Sequence, residues 1–360
     1  MRVLHIETGM NLYGGALQVF YLLRGLHARG VDNLLVCPCG SAIAVEARPY
    51  AKVIELPMRG EVDLIFGWRL LQTLRRERPD LVHAHSRRGA DLWGAIAARI
   101  AGIPALVTRR VDNPEAPWLA RLKYRQFAHV ITISQGIRDV LLGEGVPADH
   151  VTCVHSAVDI DAWQGEPDRA WINREFNLPD DSQVVAVIAQ LIERKGHRFL
   201  FEAIPRILEK VPNAYFLVLG KGPLETELKE LCKTLQIESH VIFAGFRDDL
   251  QRIMPCLDLV VHPALMEGLG VSLLQAAACG IPIVAGRAGG IPEIVEDGVN
   301  GYLVEPGNSE ELIIPVTQLL LNPDDNSNMG QQGREIVQKW FSIDAMVSSN
   351  MNCYEKFRKI

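Results

Sequence analysis

Thirteen short runs rich in Val, Ile and Leu recur along this chain, and stretches with helical spacing separate them. In the first half they are VLHIE (3–7), NLLVCP (33–38), KVIELP (52–57), LVHAH (81–85), ALVTR (105–109), HVITIS (129–134) and HVTCVH (150–155). Periodic segments such as Ala16–Ala28, Gly67–Arg76 and Asp91–Ala101 lie between them. Strand-then-helix alternation predicts a parallel sheet covered by helices on both faces, because parallel strands need crossovers that return over the sheet.

The series then starts again with VVAVIAQ (184–190), AYFLVLG (214–220), HVIFAGF (240–246), LDLVVHP (257–263), IPIVAG (281–286) and GYLVEP (301–306). Helices are expected from His197, Leu224, Asp249, Gly270 and Gly290. At 360 residues the chain suits two domains of about 150–200 residues each. The expected fold class is α/β: two Rossmann-like, doubly wound domains facing a central cleft, with ligands at the C-terminal strand ends. The boundaries are placed at 1–165 and 166–340, with the polar stretch 162–183 as linker. Residues 341–360 form a helix expected to pack back on the first domain.

Composition narrows the class further. Apolar residues make up 48% and charged residues 22%, as in a globular protein. No apolar run approaches the roughly 18–20 residues that span a bilayer. MRVLHIETG reads as a strand entering a loop and lacks the features of a signal peptide, so the expected compartment is the cytosol. The seven cysteines match neither a disulfide framework nor a zinc knuckle, and no metal is expected. Residues 69–125 carry 12 basic and 5 acidic side chains in a chain of net charge −6. That patch suits either an ordinary solvated face or an anionic partner such as a phosphorylated acceptor or an acidic membrane surface. Nucleic acid is excluded as the expected partner, since the chain is acidic and carries no recognition motif.

Four constellations could carry chemistry. Gly14-Gly15 follows the first strand and precedes a helix, where backbone N–H groups can approach a phosphate; a tight turn alone would need the same glycines. His83 and His85 share one face at the end of a strand, as core histidines or as groups at the sheet crest. Gln190 to His197 place Arg194 and Lys195 before a glycine and a helix, which suits a diphosphate leaving group. Lastly, Glu267 stands before Gly268-Leu269-Gly270 and the Ala-rich helix containing Gln275. The N–H groups of Leu269, Gly270 and Val271 would lie unpaired at that helix start and favour an anion. A carboxylate beside an anion site makes sense if it grips hydroxyls attached to the anion, as in a sugar phosphate.

With AAACGIPIVAG and GGIPEIVEDGVNGYLV following in order, the chain resembles the family 4 glycosyltransferases, retaining enzymes of GT-B fold. The resemblance spans nearly the whole chain and is strongest over 184–308. It implies a nucleotide-diphosphate sugar held by the C-terminal domain and an acceptor held by the N-terminal one. By position, Glu267 resembles the acid that binds the donor sugar, and Leu269 and Gly270, with Gly268 and Val271, the backbone donors near the diphosphate. Lys195 resembles the lysine on that group, with Gly15 and its neighbour Gly14 close to it. His85 resembles the histidine near the sugar's primary hydroxyl, with His83 in reserve. Phe246-Arg247 resembles the loop facing the base.

The chain also departs from the pattern. Gln190 lies where the family has an arginine, a cation Arg194 could replace. The glycine of the interdomain turn is missing from His155-Ser156-Ala157-Val158-Asp159. Gln275 replaces the second acid of an E-x7-E pair that holds ribose hydroxyls. An amide still accepts and donates there but loses charge assistance, about 1 kcal/mol, so weaker donor binding is expected.

The implied activity is retaining hexosyl transfer from a UDP- or GDP-sugar to a glycan or glycolipid, lipopolysaccharide core or another surface polysaccharide, without metal or other cofactor. Arg109 and Arg110, followed by PWLARLKYRQF, are the expected acceptor-binding residues and suit phosphate or acidic sugars, with peripheral contact to the inner membrane face. A sugar-nucleotide epimerase of the same fold, or a non-catalytic sugar-nucleotide-binding module, would share these features.

Overall fold

A computed structural model describes residues 1–357, apart from the side chain of residue 88. The chain divides into two compact units, Met1–Ala157 with Ile343–Ile360, and Val158–Ser342.

The first unit holds seven parallel strands: β1 (Arg2–Ile6), β2 (Asp32–Pro38), β3 (Lys52–Leu56), β4 (Leu81–Ala84), β5 (Ala105–Arg109), β6 (His129–Thr132) and β7 (Val151–Cys153). Their spatial order is β3-β2-β1-β4-β5-β6-β7. The chain winds one way from β1 to β3 and then returns beside β1, so a switch point falls between β1 and β4. Leu4, Ile6, Val82 and Val107 project to one face, under helices Leu64–Glu77 and Leu92–Ala101. Val3, Leu81, Leu106 and Ile131 project to the other, where helices Gly15–Ala28 and Ile343–Glu355 cover them. This two-sided burial is why these strands read as continuous apolar runs rather than alternating ones.

The second unit repeats the scheme with six parallel strands: β8 (Gln183–Ile188), β9 (Ala214–Leu219), β10 (Val241–Gly245), β11 (Leu259–His262), β12 (Ile283–Gly286) and β13 (Gly301–Val304). The order is β10-β9-β8-β11-β12-β13, with the switch between β8 and β11. In open α/β sheets the loops leaving such a pair part to opposite faces and open a crevice at the strand ends.

Three expectations need correction. The stretch 162–183 is not a bare linker. Trp163 is buried, its carbonyl accepts from Cys279 Sγ at 3.1 Å, and Asp168 caps helix Arg169–Phe176 by accepting from Trp171 N. Residues 158–165, assigned above to the first domain, therefore group with the second unit. The helix expected from Gly290 is a single turn, Ile291–Glu293, because Pro292 starts it and the backbone then bends toward the turn at Gly298.

Candidate active site

The clearest site lies at the β8/β11 switch. β8 runs into the loop carrying Arg194 and Lys195, and β11 into the loop carrying Glu267. Leu265 N donates to the Arg194 carbonyl at 2.9 Å, so backbone hydrogen bonding ties the two loops together. Close approach demands glycine at two points. A Cβ on Gly196 would lie 1.9 Å from the Pro263 carbonyl oxygen, and one on Gly289 would lie 1.8 Å from that of Glu267. The second explains the glycine pair of AGGIPE: its backbone supports the Glu267 loop from below, with Gly290 N donating to the Glu267 carbonyl at 3.1 Å.

Glu267 is the hub. Its Oε2 pairs with Lys195 Nζ and with His262 Nε2, the latter at 2.9 Å, while Oε1 accepts from Gly268 N at 3.1 Å. Burial by itself would raise its pKa. The hydrogen bond and charge of His262, then those of Lys195, outweigh it and hold the carboxyl at about 2. The acid is therefore an ionised, preoriented acceptor at neutral pH. Gly270 caps helix Val271–Cys279 without a side-chain hydrogen bond, which leaves the first N–H groups of that helix for an anion. Gln275 is half-buried on the same helix.

The structure thus gathers Lys195, Glu267, Gly268, Leu269, Gly270 and Val271 in one corner. His262, to which no role was given above, belongs there too; its signal was a polar residue closing an apolar strand at the sheet crest. His197 lies beside it, buried, with its pKa lowered to about 4 by burial and then by His262 and Lys195. Gln190 is exposed beyond the end of β8. Phe246 is 65% exposed, and the Arg247 guanidinium is engaged by Glu175 and Asp249, each at 2.6 Å.

In the first unit the predicted residues separate. Arg109 is 2% exposed and locked inside: it pairs with Glu144 at 2.9 Å, meets Tyr124 Oη at 3.2 Å, and donates to the carbonyls of Val111 and Asn113. It is a structural arginine and cannot serve an acceptor. His83 is likewise taken, with Nδ1 on Tyr354 Oη at 2.6 Å and Nε2 on Thr108 Oγ1 at 2.7 Å. His85 lies at the crest at 1% exposure, its Nε2 2.9 Å from His5 Nδ1. Burial keeps all three imidazoles neutral, His5 down to about 3. Ligand atoms of His5, His83 and His85 fall within 4.8 Å of one another. The bonds just given already commit both nitrogens of His83 and join His5 to His85. Gly14 and Gly15 open helix Gly15–Ala28, and Arg110 lies against Gly15.

Comparison with known proteins agrees with this architecture. Residues 168–336 match the family model described as Glycosyl transferases group 1, and residues 13–162 that described as Glycosyltransferase Family 4. A GDP-mannose-dependent alpha-(1-6)-phosphatidylinositol monomannoside mannosyltransferase of Mycolicibacterium smegmatis is 33% identical over 268 residues, 68% of each chain. The lipopolysaccharide core biosynthesis glycosyltransferase LpsE of Rhizobium meliloti is 25% identical over 97% of each chain. Among solved structures, Anabaena Alr3699/HepE in complex with UDP superposes with a TM-score of 0.86 at 22% identity, covering 99% of this chain and 100% of that one. The last likeness is one of fold.

Proposed function

This chain belongs to the family 4 glycosyltransferases, has the GT-B fold and transfers a sugar from a nucleotide sugar; on that premise we propose that it is a retaining hexosyltransferase acting on a glycan or glycolipid. The observation that carries the reading is the Glu267 hub at the β8/β11 switch. A fixed carboxylate suited to sugar hydroxyls stands beside a lysine and an open helix N-terminus suited to a diphosphate.

In the proposed reaction the bond from the anomeric carbon to the diphosphate oxygen breaks through an oxocarbenium-like transition state. The acceptor hydroxyl forms its bond on the same face, and its proton passes to the departing phosphate oxygen. Lys195, Arg194 and the N–H groups near Gly270 stabilise the charge that develops on the leaving group. Glu267 holds the sugar, and Gln275 takes the ribose hydroxyls. UDP- and GDP-sugars are the candidate donors, in line with the UDP-bound neighbour and the GDP-mannose-dependent relative. No metal is assigned to any step.

For the acceptor we favour a lipopolysaccharide-core or similar surface glycolipid, reached from the cytoplasmic face of a membrane. The likeness to LpsE supports this, as does helix Pro117–Tyr124, where Trp118, Leu119 and Leu122 are exposed beside Arg121. No described helix is long and apolar enough to cross a membrane. Incubation with a panel of nucleotide sugars, with and without glycolipid acceptors, tests the proposal. Nucleotide release that depends on acceptor, with the anomeric configuration kept in the product, is expected. An isomerised donor without acceptor would point to an epimerase instead, and binding without turnover to a binding module.

A further inference from the structure

We propose that His262 is a positioning residue for Glu267: when Lys195 turns to the donor's diphosphate, His262 takes up a proton on Nδ1 and keeps the carboxylate paired and in place. The inference rests on the transferase reading above and adds a proton to the donor-binding step.

His262 is the last residue of β11 and is 1% exposed. Its backbone is fixed on both sides: it pairs with Ala285 in the β12 ladder, and the carbonyl of Pro263, the next residue, packs against Gly196. Its Nε2 lies 2.9 Å from Glu267 Oε2, and Lys195 Nζ binds that same oxygen. An ionised carboxylate only accepts, so the proton of the His262 bond sits on Nε2, and in the neutral ring Nδ1 is bare. That Nδ1 is buried and meets no hydrogen-bond partner among the described residues. Buried polar atoms are paired in nearly all native structures, so an unused basic nitrogen one ring away from the key carboxylate calls for a reason.

The groups around the ring supply one. β8 and β12 flank β11 and bring no titratable side chain. Helix Val271–Cys279 brings only the Cys279 thiol, which burial pushes up to about 12 and which donates to the Trp163 carbonyl. Helix Ser309–Leu321 holds Glu310 on Arg206 and Glu311 on Asn308. From the β8 loop and the helix after it, Lys195 and His197 face His262, and burial keeps His197 neutral. The cation that meets Glu267 is therefore Lys195. While it stays there, a second positive charge on the ring would meet that ammonium and is disfavoured. A donor reverses the balance. Its diphosphate draws the ammonium away and leaves Glu267 ionised, buried and short of a cation, which is a costly state. A proton from solvent on Nδ1 restores the missing charge, and the bond from Nε2–H to Oε2 becomes charge-assisted on both sides. The negative charge of the diphosphate acts in the same direction. Glu267 thus keeps its orientation toward the sugar while the lysine serves the leaving group.

The test uses the full chain with UDP or GDP, whichever binds. Titration calorimetry in buffers of different ionisation heat counts the protons taken up per nucleotide bound. His262→Gln is the comparison, because its amide can still donate to Glu267 but cannot take a proton. The terminal phosphate of the nucleotide also titrates, near about pH 6, but it does so with both proteins. At some pH between about 6 and about 8.5 the unaltered protein should take up at least about half a proton more than His262→Gln. Through that window its affinity should fall, relative to the variant, by up to about ten-fold per unit as pH rises. Equal proton counts across the range overturn the inference, even if the variant binds more weakly, since a purely structural histidine would change affinity without changing the count. Should His262→Gln fail to fold, Lys195→Gln decides by histidine NMR without nucleotide. With the competing cation gone, His262 Nδ1 must already carry its proton at neutral pH, whereas in the unaltered protein it must not; a bare Nδ1 in Lys195→Gln overturns the inference. Failure of UDP and GDP alike to bind would break the transferase reading and this inference with it, whereas binding without the extra proton breaks this inference alone.

Discussion

The crests of the two sheets solve opposite problems. In the second unit the switch point carries polar groups that are already paired: Lys195 and His262 both hydrogen-bond Glu267. In the first unit the equivalent crest carries neutral histidines and two charges, Glu7 and Arg110, that do not meet. The same topology therefore yields one corner preset for a ligand rich in charge and hydroxyls, and another left open. A buried ion pair is strongly destabilised by loss of one partner, whereas an unpaired polar group gains by finding one. The two crests should respond differently to every perturbation.

Removing the anion from a purely structural pair should cost the most stability. Glu144→Ala leaves Arg109 charged and buried, and chemical denaturation should show a loss of about 3–5 kcal/mol. Nucleotide binding by the folded fraction should persist; its disappearance would mean that Arg109 serves the site after all. At the functional pair the readout shifts to turnover. Glu267→Ala should lower acceptor-dependent nucleotide release by about 100-fold or more, the scale seen when one preorganised electrostatic contact is lost. Full turnover by that variant would remove Glu267 from the site.

Acid should separate the units. His5 at about 3, His129 at about 4, and His83 and His85 well below the usual value stay neutral in the folded first unit. Unfolded histidines bind protons below about pH 6.5, so the stability these four contribute is complete above that pH and drains away as pH falls toward 3–4. Glu7, whose pKa burial raises, works the other way as a single group. In the second unit His197 contributes in the same sense, while Glu267 is lost only between about pH 4.5 and 2. Hydrogen exchange between pH 7 and 4.5 should therefore show the first unit weakening earlier, by about 1 kcal/mol per pH unit or more. Parallel weakening of both units would contradict the comparison.

Smaller changes sharpen it. Tyr354→Phe removes the hydroxyl on His83 Nδ1 and should cost about 1–3 kcal/mol of stability with little change in nucleotide affinity, since it leaves a buried nitrogen without its partner. Gln275→Glu should tighten donor binding by about 1 kcal/mol, roughly five-fold, by restoring charge to a ribose hydrogen bond. A donor KM that does not move would show that Gln275 does not touch the ribose.

Much of this was legible in the sequence because it depends on local pattern. Apolar runs buried on both faces announce parallel strands, and their restart near residue 183 announces a second sheet. Glu267 before a glycine turn and a helix carried its own meaning, since the helix N-terminus is a local property. The partners of Glu267 were harder. Lys195 comes from a loop 72 positions away, and His262 drew no notice inside an apolar strand. Glu7 and Tyr354 were missed for the same reason: a lone polar residue ending a strand or closing the last helix has no periodic signature.

Adjacent Arg109 and Arg110 mark the limit most clearly. As sequence they are equivalent, two cations at the end of one strand. Whether each turns inward or toward the crest depends on where β5 stops and on what waits at either side. Glu144, 35 residues on, captures the first, and Gly15 makes room for the second. Two parallel sheets, and a carboxylate and glycine turn ahead of the helix at Val271, follow from local pattern alone, because burial periodicity and helix starts are written within a few residues. Which charge is spent on the fold and which remains for a ligand was decided only by tertiary structure, because pairing a buried charge requires a partner that the chain delivers from far away.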